Sequence, residues 1–137
     1  MGMVIDGKWI DDDEKFRNPT GGAFVRPQSV WRDTITADGS SGFKAEPGRY
    51  HLFLAPSCPW AHRTQIVRRL KGLEDVISVT LSDLPRITSW AYTQGIDELQ
   101  PGENGKLELH DVYIAADPNY TGRVTVPTLW DRQKKTI

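Results

Sequence analysis

At 137 residues the chain is long enough for one domain around one hydrophobic core and too short to promise two. Seventeen basic residues stand against 18 acidic ones, which argues against a nucleic-acid footprint or a polybasic membrane patch; apolar runs of about five residues fall far short of the roughly 20 a membrane span needs. The single cysteine, Cys58, cannot close an internal disulfide, and Met1 to Asp13 shows no basic segment followed by an apolar one, so the expected location is the cytoplasm.

Residues 1–48 carry scattered apolar side chains, Trp9, Phe16, Phe24, Val25 and Trp31, separated by Asn18-Pro19, Gly21-Gly22, Pro27 and Asp38-Gly39-Ser40-Ser41-Gly42. This pattern predicts a long irregular arm that wraps a core built by residues 49–137. Tyr50 to Ala55, led by Gly48 and closed by Pro56, reads as a strand. From Pro59 the period changes: Ile66, Val67, Leu70 and Leu73 form a helical stripe with Arg63, Arg68, Arg69 and Lys71 mostly off it, and Gly72 marks the end. Val76 to Leu81 returns to strand character, completing a βαβ unit with a right-handed crossover. Ser82 to Lys106 is polar and broken by Pro85, Gly95, Pro101, Gly102 and Gly105, and reads as a long loop of the kind that often carries function. His110 to Ala116 predicts a short helix stopped ahead of Pro118, Thr128 to Asp131 a third strand, and Thr136-Ile137 the stub of a fourth.

Cys58 follows a strand directly and precedes Pro59, a residue suited to the first position of a helix. Unpaired N–H groups and the positive end of the helix dipole favour an anion there, and the thiolate is the reactive form of cysteine in nucleophilic attack and disulfide exchange. Cys-Pro alone does not separate this from an inert cysteine packed under the helix. Ala61 occupies the second position of a Cys-x-x-Cys pair, so disulfide chemistry at Cys58 must be monothiol, with an external thiol completing the cycle. Val126-Pro127 is a place where a cis peptide is affordable, and a cis bond would present the Val126 backbone for strand-like pairing with a bound peptide. His51, His62 and His110 lack metal-ligand spacing and no Gly-rich phosphate loop is present, so no metal is expected.

Ser57-Cys58-Pro59-Trp60-Ala61-His62-Arg63 followed by Gly122-Arg123-Val124-Thr125-Val126-Pro127-Thr128-Leu129-Trp130-Asp131 resembles the glutathionyl-hydroquinone reductases, also called Xi-class or omega-like glutathione transferases. Phe24-Val25-Arg26, Trp90 and Ala116-Asp117-Pro118-Asn119-Tyr120 extend the likeness over nearly the whole chain. The resemblance implies an α/β thioredoxin-like fold (β-α-β-α-β), with Cys58 as nucleophile and with Trp90, Arg123, Val124, Thr125 and Val126 binding glutathione as co-substrate. Family members continue past the Ile137 position into the rest of the fourth strand, a Glu-Ser pair that holds the glutamyl end of glutathione, and a helical domain, so the fold here is expected to be incomplete, with the C-terminal helical domain absent. Asp131 precedes the turn and cannot replace that pair. The implied activity is reduction of glutathionyl-hydroquinones through a Cys58–glutathione mixed disulfide, with homodimers expected of the complete family member. A general monothiol thiol transferase and a non-catalytic truncated remnant are the alternatives. With the fourth strand reduced to a stub, Thr128 to Asp131 is expected to form an exposed edge.

Overall fold

The computed structural model describes residues 2–11, 28–84, 86 and 88–137. Phe16, Phe24, Val25 and Arg26 of the arm, and Ile87 of the loop, lie outside the described residues.

The central strand is β3 (Tyr50–Leu54), all five of whose residues are buried. It pairs in parallel with β4 (Ile77–Leu81) and antiparallel with β8 (Thr128–Asp131), giving the order β4-β3-β8. The register places Leu52 between Val79 and Leu129 on one face, and His51 beside Trp130 on the other. Helix α1 (Pro59–Leu70) connects β3 to β4, and α2 (Leu109–Ala116) precedes β8, so the β-α-β-α-β succession runs β3-α1-β4-α2-β8. β8 lies at the edge of this sheet with one bridge from Asp131 to Thr136, but it is not the exposed edge expected: Thr128, Trp130 and Asp131 are all buried.

α1 lies on the sheet by a different face from the one its apolar periodicity predicts. Ala61, Thr64, Gln65 and Arg68, spaced i, i+3, i+4 and i+7, are its covered residues, whereas Ile66, Val67 and Leu70 are exposed, Leu70 at 80%. The reason lies at the helix end. Arg68 donates from Nε to the carbonyl of Ile77 (2.7 Å) and from Nη2 to that of Glu74 (2.8 Å), tying the helix to the start of β4 and turning Arg68 inward. Gly72 terminates the helix in the left-handed region (φ 63°), with its N–H on Arg69 O and that of Leu73 on Arg68 O, a conformation a side chain would oppose.

The opposite face of the sheet is covered by the segment read as a loop. It is longer than most connections but not featureless: β5 (Ala91–Tyr92) pairs with β6 (Leu107–Glu108), and Tyr92, Ile96 and Leu107 are buried against Phe53 and α2. Tyr92 packs edge-on to Phe53 at 5.2 Å. α2 starts at Leu109 with a reciprocal capping box between Glu108 and Asp111, and ends at Asp117, ahead of Pro118.

Within the arm, β1 (Met3–Ile5) and β2 (Lys8–Ile10) form a hairpin absent from the sequence reading, and β1 pairs with β7 (Gly122–Arg123). Asp6 and Gly7 make its turn with positive φ (47° and 70°); a Cβ on Gly7 would collide with the carbonyl oxygen of Pro118, so glycine alone allows the approach. Val4 is fully buried, and Trp9 stacks on His110 (4.6 Å, 10°). Farther along the arm, Trp31 packs on Tyr113 and Tyr120.

Two polar clusters lock the sheet. Arg49 grips Asp131 through Nε (3.0 and 3.1 Å) and Nη2 (2.6 Å), while Asp131 Oδ1 accepts from the N–H groups of Gln133 and Lys134. Burial pushes the Asp131 carboxyl up, but these donors outweigh it and hold it below the usual carboxylate range. His51, buried on β3, bonds Ser78 Oγ through Nδ1 (2.7 Å). Burial, then the charges of Arg132 and Arg68, lower its pKa from 6.5 to about 4. Because the folded state holds His51 neutral where the unfolded chain binds a proton, its contribution is present above pH 6.5 and is lost as pH falls toward about 4. The expected loss is about 3 kcal/mol over that window. Thermal melts from pH 7 to 4 should show it, and His51→Gln, which cannot titrate, should flatten the slope.

Candidate active site

Cys58 is the N-cap of α1, in extended conformation (φ −100°, ψ 114°), with Pro59 in the first turn. The local sequence dictates this: Ala55 follows the buried strand, Pro56 and Ser57 turn the chain with the Cys58 N–H on Ala55 O (3.1 Å), and the Cys58 carbonyl accepts the first helical bond from His62 (3.0 Å). The side chain makes no capping bond and is half-buried. Its Sγ–H points to the carbonyl of Val126, 3.8 Å away and 68 positions on. The Val126–Pro127 peptide, which holds that carbonyl, is cis.

These groups border a cleft of about 380 Å³ lined by Cys58, Trp60, Arg86, Trp90 and the run Val124–Thr125–Val126–Pro127. Of the site residues read from the sequence, Cys58, Trp90, Val124, Thr125 and Val126 thus come together. Arg123 stands one residue outside the lining, exposed on β7 opposite Met3. Trp60 and Arg86 are additions. Trp60 is 60% exposed, with the Arg63 guanidinium 4.1 Å above its ring; its place in the Ser57–Arg63 motif was the available signal. Arg86 lies 4.9 Å over the Trp90 ring, and nothing in the sequence pointed to it.

The segment from Tyr120 to Thr128 is held from behind. β1 pairs with Arg123 and Gly122, the Gly7 N–H donates to Tyr120 O (3.0 Å), and the Asp6 N–H to Thr121 Oγ1 (2.9 Å). The Tyr120 hydroxyl donates to Arg123 O at 2.8 Å, and burial beside Tyr113 pushes this phenol up to about 12, so it remains a donor at neutral pH. The buried Tyr113 hydroxyl donates to Thr125 O (3.0 Å) and accepts from Thr125 N–H (3.3 Å), while Thr128 Oγ1 also donates to Thr125 O (2.7 Å). Tyr113→Phe keeps the ring and strands the Thr125 N–H. It is expected to cost about 1–3 kcal/mol in a denaturant melt and to weaken glutathione binding several-fold by titration, through a loosened Val124–Val126 backbone.

An α/β unit with a thiol at a strand-to-helix turn, facing a backbone segment across a cleft with an aromatic wall, is the arrangement of a thioredoxin-like glutathione-handling domain. The family model for the glutathione S-transferase N-terminal domain matches residues 57–137, and the chain belongs to that family. Among curated proteins it is similar to the glutathionyl-hydroquinone reductase PcpF of Sphingobium chlorophenolicum, 46% identical over all of this chain and 42% of that protein. It is also similar to the glutathionyl-hydroquinone reductase YqjG of Escherichia coli, 44% identical over all of this chain and 44% of that one. Among solved structures, the Xi-class transferase of Natrialba magadii matches with a TM-score of 0.77 at 39% identity, over 100% of this chain and 40% of the other. The glutathione-bound YqjG structure matches with a TM-score of 0.72 at 38% identity, over 99% and 41%. The chain spans less than half the length of these relatives. Among the described residues, no helix is long and apolar enough to cross a membrane.

Proposed function

We propose that this chain is the glutathione-binding and thiol-bearing part of a glutathionyl-hydroquinone reductase acting in the cytoplasm, with residues 49–137 as the partial thioredoxin-like domain and residues 1–48 as an arm upon it. The observation that carries the reading is the Cys58 thiol directed at the Val126 carbonyl within a cleft walled by Trp90. Similarity along the whole chain to two proteins named as such reductases supports it.

In this reading Trp90 forms an aromatic wall, the backbone of Val124, Thr125 and Val126 pairs with the peptide of glutathione, and Arg123 offers a cation at the rim. The Cys58 thiolate attacks the sulfur of a glutathionyl-hydroquinone. A Cys58–glutathione disulfide forms, the carbon–sulfur bond breaks, and its electron pair passes to the ring carbon, which takes a proton to give the free hydroquinone. The thiolate of a second glutathione attacks the glutathionyl sulfur, releasing oxidised glutathione and restoring Cys58. Each cycle thus consumes one glutathione thiol and one aryl thioether and yields one oxidised glutathione and one hydroquinone. The complete protein of this type is proposed to work as a homodimer.

Ala61 in place of a second cysteine keeps the general monothiol thiol transferase as the competing reading. Parallel assays with a glutathionyl-hydroquinone and with the mixed disulfide of glutathione and 2-mercaptoethanol separate them. Release of hydroquinone with stoichiometric oxidised glutathione is expected. Turnover of the disulfide alone would establish the transferase, and turnover of neither would leave a binding remnant.

A further inference from the structure

The cleft beside Cys58 contains a cation to which neither the motifs nor the relatives' names draw attention. Among the described residues lining it, Arg86 is the one positive group, and no aspartate or glutamate joins it. Arg63 lies over Trp60 outside the lining, and Arg123 is exposed on β7. Arg86 is half-buried, with its guanidinium carbon 4.9 Å from the centre of the Trp90 ring. Stacking on an aromatic face restrains a long side chain that otherwise loses much rotamer freedom on binding, while the in-plane N–H fork stays free for an acceptor. A guanidinium held in this way matches a carboxylate through two parallel hydrogen bonds.

We infer that Arg86 is a further binding residue of this site, fixed over Trp90 so that it receives a carboxylate of the glutathionyl group while Cys58 meets its sulfur. The inference rests on the proposed glutathione reading and adds a residue to it. Glutathione is acidic at both ends, and the backbone groups of Val124 to Val126 satisfy only its peptide middle, so a lining with a single cation selects an acidic ligand over a neutral one of the same shape. The same pairing gives Trp90 a second task, as the platform that orients Arg86.

S-methylglutathione, which binds without reacting, and its diethyl ester, in which both carboxylates are masked, test this by titration followed through tryptophan fluorescence. In Arg86→Met the dissociation constant for S-methylglutathione should rise about tenfold or more relative to wild type, whereas the diester should bind both proteins with similar constants. Arg86→Lys, which keeps charge but loses the planar fork, should fall between them. A variant-to-wild-type ratio near one for S-methylglutathione would overturn the inference and leave the glutathione reading intact. Equal loss for acid and diester would also overturn it, by showing a general disturbance of the cleft. Wild-type protein that fails to bind S-methylglutathione while Cys58 still exchanges with bis(2-hydroxyethyl) disulfide would overturn both readings together.

Discussion

Cys58→Ser is expected to abolish glutathione-dependent turnover, a loss of about three orders of magnitude or more, and to leave the thermal midpoint nearly unchanged. The two halves of this expectation have separate causes. The proposed cycle passes through a sulfur–sulfur bond to the protein, Cys58 is the only cysteine in the chain, and a serine hydroxyl cannot form that bond. For stability, the side chain is half-buried at the margin of the core, caps nothing, and its polar contact is the long one to Val126 O at 3.8 Å. Its replacement should therefore stay within about 0.5 kcal/mol. Incubation with oxidised glutathione followed by intact-mass measurement should show a glutathione adduct on wild type and none on the variant. Hydroquinone release by Cys58→Ser at a rate near wild type would mean that the chemistry runs through some other group.

The thiol was legible in the sequence because its setting is local: a strand, a tight turn, a cysteine and a proline at the first helical position fall within ten residues. The partner segment Val124–Pro127 was legible through the family resemblance, since sequence separation alone gives no reason to bring residue 126 to residue 58. The strands β3, β4 and β8 and both helices were also foreseen to within a residue or two. The N-terminal hairpin was not, because Met3–Ile5 and Lys8–Ile10 are each three residues long, and the first of them is anchored by pairing with β7 more than 100 positions away. Nor could Arg86 be found, since a cation in a polar loop carries no periodicity, and only the fold lays it over Trp90. The orientation of α1 shows the opposite failure, a strong pattern misread. Ile66, Val67 and Leu70 follow helical spacing, yet Arg68 binds the carbonyls of Glu74 and Ile77 and sets the rotation of the helix.

That rotation has a thermodynamic consequence, for Phe53→Ala and Val67→Ala should differ sharply in effect although both remove apolar side chains from regular elements. Phe53 is fully buried on the central strand, edge-on to His51 (4.7 Å) and Tyr92 (5.2 Å). Truncating it removes the ring from its apolar surroundings and leaves a cavity that a strand paired on both sides has little freedom to close; losses of about 3–5 kcal/mol follow from such changes, to which the two aromatic contacts add. Against a typical domain stability of roughly 5–15 kcal/mol, that is a large share. Because Tyr92 belongs to the segment that carries Trp90, the cavity should also be felt at the cleft as weaker glutathione binding at temperatures where the variant is still folded. Val67 lies on α1 at 53% exposure, and its truncation should change stability by no more than about 0.5 kcal/mol, with alanine's helix propensity offsetting part of any loss. Denaturant melts of the two variants beside wild type decide the matter. If Val67→Ala were as destabilising as a core truncation, α1 would rest on the sheet through its apolar stripe, and the placement of Cys58 at its N-terminus would have to be redrawn with it.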